Sequence, residues 1–334
     1  MRRLLFLFAL VLAGSAAAKD PPPGRPAFDL SLLTRPPDGG MMAFRPAELI
    51  AHAGVPDDGV TGYIGQIAKA GAAFIDGELK AENLPAASSI EQVVLGLNLS
   101  LKLSTTEEQG TGTLSLQGSN FGYIRTTEKF DWAGIVKKTF PKAVTETHAG
   151  REYLSCGIKF GTFEVVIGFY VPDERTLVFD VDVEKLEAAL ATWEERKRPA
   201  MPAGWDDVKG CSVAFVMPMG DRKWMTTAGK LNENGLLLKK LAKSLKSACV
   251  GMTFGDTTTT AVGVFAAISD DAAFKVEGQV NKSLTAAEEG LGEKLAGKAT
   301  ATTTRTGKTV RVQATVKANA LKDFVRSYDD DGKE

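Results

Sequence analysis

The chain has 334 residues, 44% of them apolar and 24% charged, with a formal net charge of −1. That length fits one large domain or two ordinary ones, and each of two could bury about two-thirds of its unfolded surface. A near-neutral balance supplies no global field, so charge-driven binding of nucleic acid or acidic lipid is excluded as a property of the whole chain.

The N-terminus reads as an export signal. Arg2 and Arg3 precede an apolar run from Leu4 to Ala13, and Ala16-Ala17-Ala18 supplies small residues for cleavage after Ala18. The run is about ten residues, and a membrane-spanning helix takes roughly twenty. The first cysteine is Cys156, so no lipid anchor is expected, and no later stretch is apolar enough to span a membrane. A secreted or periplasmic chain beginning after the signal at residues 1–18 is the expectation. Residues 19–37 form a proline-rich linker (Pro21-Pro22-Pro23, Pro26, Pro36-Pro37), extended because proline fixes φ and lacks an amide hydrogen. Phe28, Leu30, Leu32 and Leu33 can pin part of it to the body.

A first module is expected over residues 38–198. Met41–Phe44 reads as a strand, followed by a helix from Pro46 to Gly54. Tyr63–Ile75 has helical spacing weakened by Gly62, Gly65 and Gly71. Ile90–Leu103 alternates Val93, Leu95, Leu97, Leu99, Leu101 and Leu103, the pattern of one long half-buried strand. Thr111–Gln117 and Asn120–Thr127 read as its neighbours. Asp131 caps a helix over Trp132–Phe140 that Pro141 stops. Val144–His148 and Arg151–Cys156 form a hairpin across Ala149-Gly150, and Thr162–Val171 and Arg175–Val181 form another. Asp182 caps a helix over Val183–Arg198.

A linker, 199–207, leads to a second module at 208–328. It contains a strand at Val208–Met217, a helix at Leu231–Leu245, and a hairpin of Ala248–Phe254 with Thr259–Ile268. A helix capped by Asp270 or Asp271 then runs to about Leu295, with a break near Gly290 or Gly292. A hairpin of Ala299–Arg305 with Thr309–Lys317, a short helix at Ala320–Val325 and an acidic tail at 329–334 complete it. The expected class is α+β: two related modules, each a mainly antiparallel sheet with helices on one face. Ala43-Phe44 matches Ala214-Phe215, Val94-Leu95-Gly96-Leu97 matches Cys249-Val250-Gly251-Met252, and Gly150-Arg151 matches Gly307-Lys308. These anchors occur in the same order in both halves, which points to duplication.

Several segments resemble a family of exported bacterial proteins of unknown function, abundant in planctomycete-type proteomes. They are Pro37-Asp38-Gly39 with Ala43-Phe44-Arg45-Pro46-Ala47-Glu48-Leu49, Leu84-Pro85 with Ile90-Glu91-Gln92-Val93, and Phe169-Tyr170-Val171-Pro172-Asp173-Glu174-Arg175-Thr176-Leu177. The resemblance implies export and a tandem α+β layout. It implies no activity, because the shared residues make turns and strand starts.

No catalytic, cofactor-binding or metal-ligating set emerges from the sequence. The two histidines, His52 and His148, lack a Gly-x-Ser-x-Gly elbow or enough companions for zinc. Gly59, Gly62 and Gly65 lack the Gly-Lys-Ser/Thr ending of a phosphate loop. Asp180 and Asp182 have the spacing to share a hard cation, but a helix cap explains Asp182 more simply. Lys137-Lys138 and Lys239-Lys240 read as solvated helix faces, without the aromatics of a single-strand platform. Cys211 and Cys249 are expected as small buried hydrophobes, with a disulfide between them as the alternative in an oxidising compartment. The leading expectation is a non-enzymatic binding or scaffold protein of the periplasm or envelope, without cofactor, whose partner is a protein or an envelope polymer. Two alternatives stand beside it. One is a carrier of a small apolar ligand lined by Phe74, Leu97, Leu99 and Trp132. The other is a hydrolase using two carboxylates alone.

Overall fold

The computed structural model of the chain describes residues 25–53, 85–97, 99–106, 109–116, 121–160, 163–219, 225–228, 243–295 and 299–317. The signal, the helix expected over 63–75, most of that over 231–245, the helix over 320–325 and the acidic tail lie outside the described residues. Two compact units are present, and neither is one contiguous stretch.

One unit comprises Phe28–Asn98 and Gln117–Ala200. Its strands are β1 (Met41–Phe44), β2 (Ile90–Gly96), β5 (Phe121–Thr126), β6 (Val144–His148), β7 (Arg151–Phe160), β8 (Phe163–Asp173) and β9 (Thr176–Asp180). They lie in the order β1-β2-β5-β9-β8-β7-β6, each pair antiparallel. Its helices are α1 (Pro46–Ala53), α2 (Trp132–Thr139) and α3 (Val183–Ala191).

Helices cover both faces of this sheet, where one face was expected. Trp132, Val136 and Phe140 of α2 pack with Leu154, Cys156, Ile167, Phe169 and Leu177. Alternation along β8 puts Gly168 on the face opposite Ile167 and Phe169. There Leu186 of α3 fills the space a side chain would need: a Cβ on Gly168 would stand 2.4 Å from its Cδ2. The α2 face is apolar. The α3 face carries Gln92, Tyr123, Ser155 and Asp180, all buried, and the segment Phe28–Arg35 also lies on it, held through Tyr123 and Asp180.

The second unit comprises Leu99–Leu116 and Met201–Glu334, with residues up to Ala27. It holds α4 (Trp205–Val208), β10 (Val213–Pro218), β12 (Leu245–Phe254), β13 (Thr258–Ala267), α5 (Asp270–Leu295), β14 (Ala299–Thr306) and β15 (Thr309–Lys317). These strands lie in the order β10-β12-β13-β15-β14, again antiparallel. A separate three-stranded sheet joins β3 (Leu99–Thr106), β4 (Gln109–Leu116) and β11 (Met225–Ala228), with β11 parallel to β3. The β3–β4 hairpin therefore groups with residues 201–334 instead of with the 38–198 span.

Four expected elements are redrawn. The strand expected over Ile90–Leu103 is two strands in two sheets. The first ends at Gly96, Leu97 N–H adds one more rung to the β1–β2 ladder by donating to Gly40 O at 2.8 Å, and the second starts at Leu99. The strand expected from Val208 starts at Val213, because Gly204 (φ 96) begins a helical turn that buries Trp205 and Val208. Leu245 opens β12 instead of closing a helix. The helix from Val183 stops at Ala191, with Thr192 as its C-cap.

Caps behave as anticipated at α2 and α3, where Asp131 accepts from Gly134 N–H at 2.9 Å and Asp182 from Lys185 N–H at 3.4 Å. At α5 the cap is Ser269, whose Oγ accepts from Ala272 N–H at 3.1 Å, and the helix runs unbroken past Gly290 and Gly292. Asp131→Ala removes the side-chain acceptor that caps the start of α2. It should cost about 1 kcal/mol, read as a lower urea midpoint at unchanged m-value.

Candidate functional site

The α3 face of the β6–β7 hairpin gathers more titratable and hydroxyl side chains than the sequence suggested. Ala149 (φ 50) and Gly150 (φ 77) form the turn, and two successive positive φ values fit the twist of a two-residue hairpin. That turn fixes the register: His148 opposite Arg151, Glu146 opposite Tyr153, Val144 opposite Ser155. Residues opposed in an antiparallel pair share a face, so these six side chains stand together. Asp182 starts α3 over the same face, and Glu187, one turn in, arrives above Tyr153.

Tyr153, 3% exposed, sits between two carboxylates. Its hydroxyl is 2.8 Å from Glu146 Oε2 and 2.5 Å from Glu187 Oε1. Ser155 Oγ–H donates to Glu146 Oε1. His148 Nδ1 lies 3.9 Å from Glu187 Oε1, both side chains partly exposed. The hydroxyl donors of Ser155 and then Tyr153 hold the Glu146 carboxyl below its ordinary range. Burial, followed by the two carboxylates, pushes the Tyr153 phenol well above its ordinary value. Tyr153 is therefore a hydrogen-bond donor at every physiological pH, and with one hydrogen it serves two acceptors.

This geometry decides between chemistries. Ser155 donates to a carboxylate and His148 faces Glu187, so serine and histidine are not arranged as nucleophile and base. The Tyr153 hydroxyl occupies the position between the two carboxyls where a water or a leaving oxygen would stand in a two-carboxylate hydrolase.

The site is bounded by an aromatic clamp. Tyr170 meets Trp193 edge-on at 4.6 Å, and the Arg196 guanidinium lies 3.2 Å above the Trp193 ring. Arg196 also donates to Leu33 O at 3.0 Å and to Trp193 O at 3.3 Å, and burial pushes its pKa down to about 10. Arg151 pairs with Glu194 at 2.8 Å. These contacts pin the chain just after α3.

Asp180 and Asp182 do not converge on a shared cation position. Asp180 Oδ1 accepts from Arg35 Nη2 and from Asp182 N–H, each at 3.0 Å, and its Oδ2 accepts from Thr34 Oγ1 at 2.6 Å. The cysteines are three buried thiols outside any disulfide, so Cys211 and Cys249 take the role of small hydrophobes. Cys249 Sγ donates to Ala203 O at 3.4 Å, and burial raises its pKa to about 12. Cys211 Sγ fills the space left by the missing Cβ of Gly251.

Of the residues expected to line an apolar cavity, Trp132 lies inside the packed α2 core and Leu97 is buried outside that cluster. Phe74 lies outside the described residues, as do Gly59–Gly65 and Lys239-Lys240. His52 falls in the last turn of α1, and Lys137 and Lys138 are exposed on α2. The sequence offered Glu146, Tyr153, Ser155 and Glu187 only as ordinary strand and helix residues. A usable signal was present: four consecutive polar residues, Thr145 to His148, in a five-residue strand next to a tight turn. Among the described residues no group of three or more His, Cys, Asp or Glu is placed to hold a metal ion, and no helix is long and apolar enough to cross a membrane.

No family model and no curated protein matches the chain. Solved structures do resemble it. Crystal form I of TP0453 aligns with a TM-score of 0.43 at 11% identity, over 91% of this chain and 98% of that one. Crystal form IV gives 0.45 at 9%, over 90% and 97%, and crystal form III gives 0.41 at 10%, over 95% and 97%. With TM-scores under 0.5 and identities near 10%, these likenesses assign this chain neither a family nor an activity.

Proposed function

We propose that the chain is an exported, non-enzymatic binding or scaffold protein of the cell envelope, and that the α3 face of the β6–β7 hairpin is its contact surface. One observation carries this: Glu146 and Glu187, both open to solvent in part, converge on the single hydrogen of the buried Tyr153. They leave carboxylate lone pairs, with the neighbouring His148, facing outward. Such a surface accepts hydrogen bonds, which suits the hydroxyls of an envelope polymer or the amides of a protein. The export pattern at residues 1–18 supports the location, as does the resemblance to an exported family.

The tandem layout belongs to the same proposal. Leaving aside the three-stranded sheet, each unit has its first strand beside its second, the second beside its third, and the third beside its last, with the earlier strand of the final hairpin outside. One extra hairpin, β6–β7, distinguishes the first unit. Two anchors shift accordingly. Ala43 pairs with Val94 and Ala214 with Gly251, so Val94 rather than Gly96 corresponds to Gly251. The counterpart of the Gly307 turn is the β8–β9 turn at Glu174, and the Gly150 turn belongs to the added hairpin. The candidate site thus sits on what one copy has and the other lacks.

The test is retention of solubilised envelope polymer and envelope protein fractions on the immobilised chain. Wild type should retain a fraction that His148→Ala/Glu187→Gln loses by at least about tenfold, the scale of one charge-assisted hydrogen bond. Both chains should melt at the same temperature. Equal retention by the two chains, or none by wild type, sinks the assignment of this surface.

A further inference from the structure

The strands that end the two units, β6 in the first and β14 in the second, are built differently. The outer strand β6 has five residues and carries Glu146 and His148. Short length and charge are how proteins keep an edge from pairing with another strand. β14 is longer and, among the described residues, carries one charge instead of two. It runs eight residues, Ala299–Thr306, in unbroken register with β15, without proline, glycine or bulge. Five of its eight residues are threonine, a β-branched residue that favours strands. Its one charge, Arg305, is drawn to Glu277 of α5 at 2.8 Å.

Two further observations lie at this edge. Phe274 of α5 is 66% exposed, and the Arg305 guanidinium stands 5.9 Å from its ring, so a large apolar side chain flanks the open strand. In the middle of β14, Thr303 Oγ1 is buried yet lacks a hydrogen-bond partner among the described residues. A buried hydroxyl left unpaired costs about 1–3 kcal/mol.

We propose that β14 is a self-association edge: a second copy of this chain adds its own β14 antiparallel, extending the sheet across a twofold axis. The axis must stand perpendicular to the sheet, so each residue faces one on the same side. Centring it on Thr303 sets Thr303 against Thr303 of the other copy, Thr302 against Thr304, Ala301 against Arg305, and Thr300 against Thr306. No like charges meet. Paired threonines are a favourable cross-strand combination, and a χ1 turn at Thr303 brings its hydroxyl, buried in the single chain, to its mate across the axis. β6 could not do the same, since centring it would oppose Glu146 to itself. An interface of two short edges is at the small end of the size range, so the dimer is weak and is sought at protein concentrations up to about 100 µM.

Sedimentation equilibrium of the purified chain tests this. Wild type should show a concentration-dependent dimer. Thr302→Lys/Thr304→Lys sets lysine against lysine twice across the axis and should raise the dissociation constant by at least about tenfold, with an unchanged far-UV spectrum and melting temperature. Thr303→Cys should form a disulfide-linked dimer under mild oxidation, since the native cysteines are buried, whereas Thr306→Cys should not. A wild-type chain that stays monomeric overturns the proposal. So does a dimer that ignores the lysines, or one in which Thr303→Cys fails to cross-link.

Discussion

Gly122→Ala should abolish the fold of the first unit. β5 lies between β2 and β9, with Gly122 opposite Leu95 on one side and Phe179 on the other. A Cβ built there would stand 2.1 Å from the carbonyl oxygen of Val94 and 3.1 Å from the Leu95 Cα. Both are backbone atoms of the neighbouring strand, so no side-chain rotation relieves the clash. Ordinary overpacking costs about 1–3 kcal/mol because flexible side chains yield. Here β2 itself must move, and with it the β1–β2 and β2–β5 ladders. We expect a loss above about 4 kcal/mol, the range in which single substitutions unfold a domain. Gly278→Ala makes the contrast. It sits in α5 with nothing within 4 Å of the added carbon, and should raise stability by up to about 1 kcal/mol through helix propensity. Urea unfolding with hydrogen exchange at β2 and β5 reads both. A Gly122→Ala chain with wild-type protection in those strands would mean the strands stand further apart than described.

How legible this was from the residues depends on the kind of information involved. Hairpins, caps and the α+β class rest on local chemistry, and they were readable. Ala149-Gly150 demands a tight turn, and Asp131 and Asp182 each have an amide three residues on to satisfy. What local chemistry cannot carry is which sheet a strand joins. Val93 to Leu103 keeps an apolar residue at every odd position, yet the stretch is divided between two sheets just after Leu97, whose N–H makes a last bond of the β1–β2 ladder to Gly40 O. Helices on both faces were missed for a similar reason. Gly168 reads as a weak strand residue until Leu186 is seen to need its missing side chain. The candidate site stayed hidden because its members come from three elements, and only the hairpin register brings Glu146 to Tyr153. Small spacing cues misled where the backbone had a better option: Ser269 caps α5 although two aspartates follow it.

The second large effect concerns Asp180 and runs against the usual behaviour of a paired carboxylate. Its side chain has no solvent exposure. Burial outweighs the donors Thr34, Arg35 and Asp182 N–H and lifts the pKa from 3.8 to about 6. The native state therefore holds a proton between about pH 4 and 6 that the unfolded chain releases. Stability from this group is complete below that window, falls as the pH rises through it and is gone above about 6. The full swing is about 3 kcal/mol. Asp180→Asn removes the titration and keeps the shape. Its carbonyl can accept from Arg35 and Asp182 N–H, and its amide can donate to Thr34 Oγ1 once that hydroxyl turns. The stability difference between wild type and Asp180→Asn should thus move in favour of the variant as pH rises from 4 to 7. Exchange at the amides of Thr34 and Arg35 should report the same trend, because both side chains donate to Asp180. A difference that moves the other way would mean the Arg35 charge outweighs burial. Asp180 would then be an ordinary salt-bridged carboxylate, stabilising at neutral pH and lost in acid.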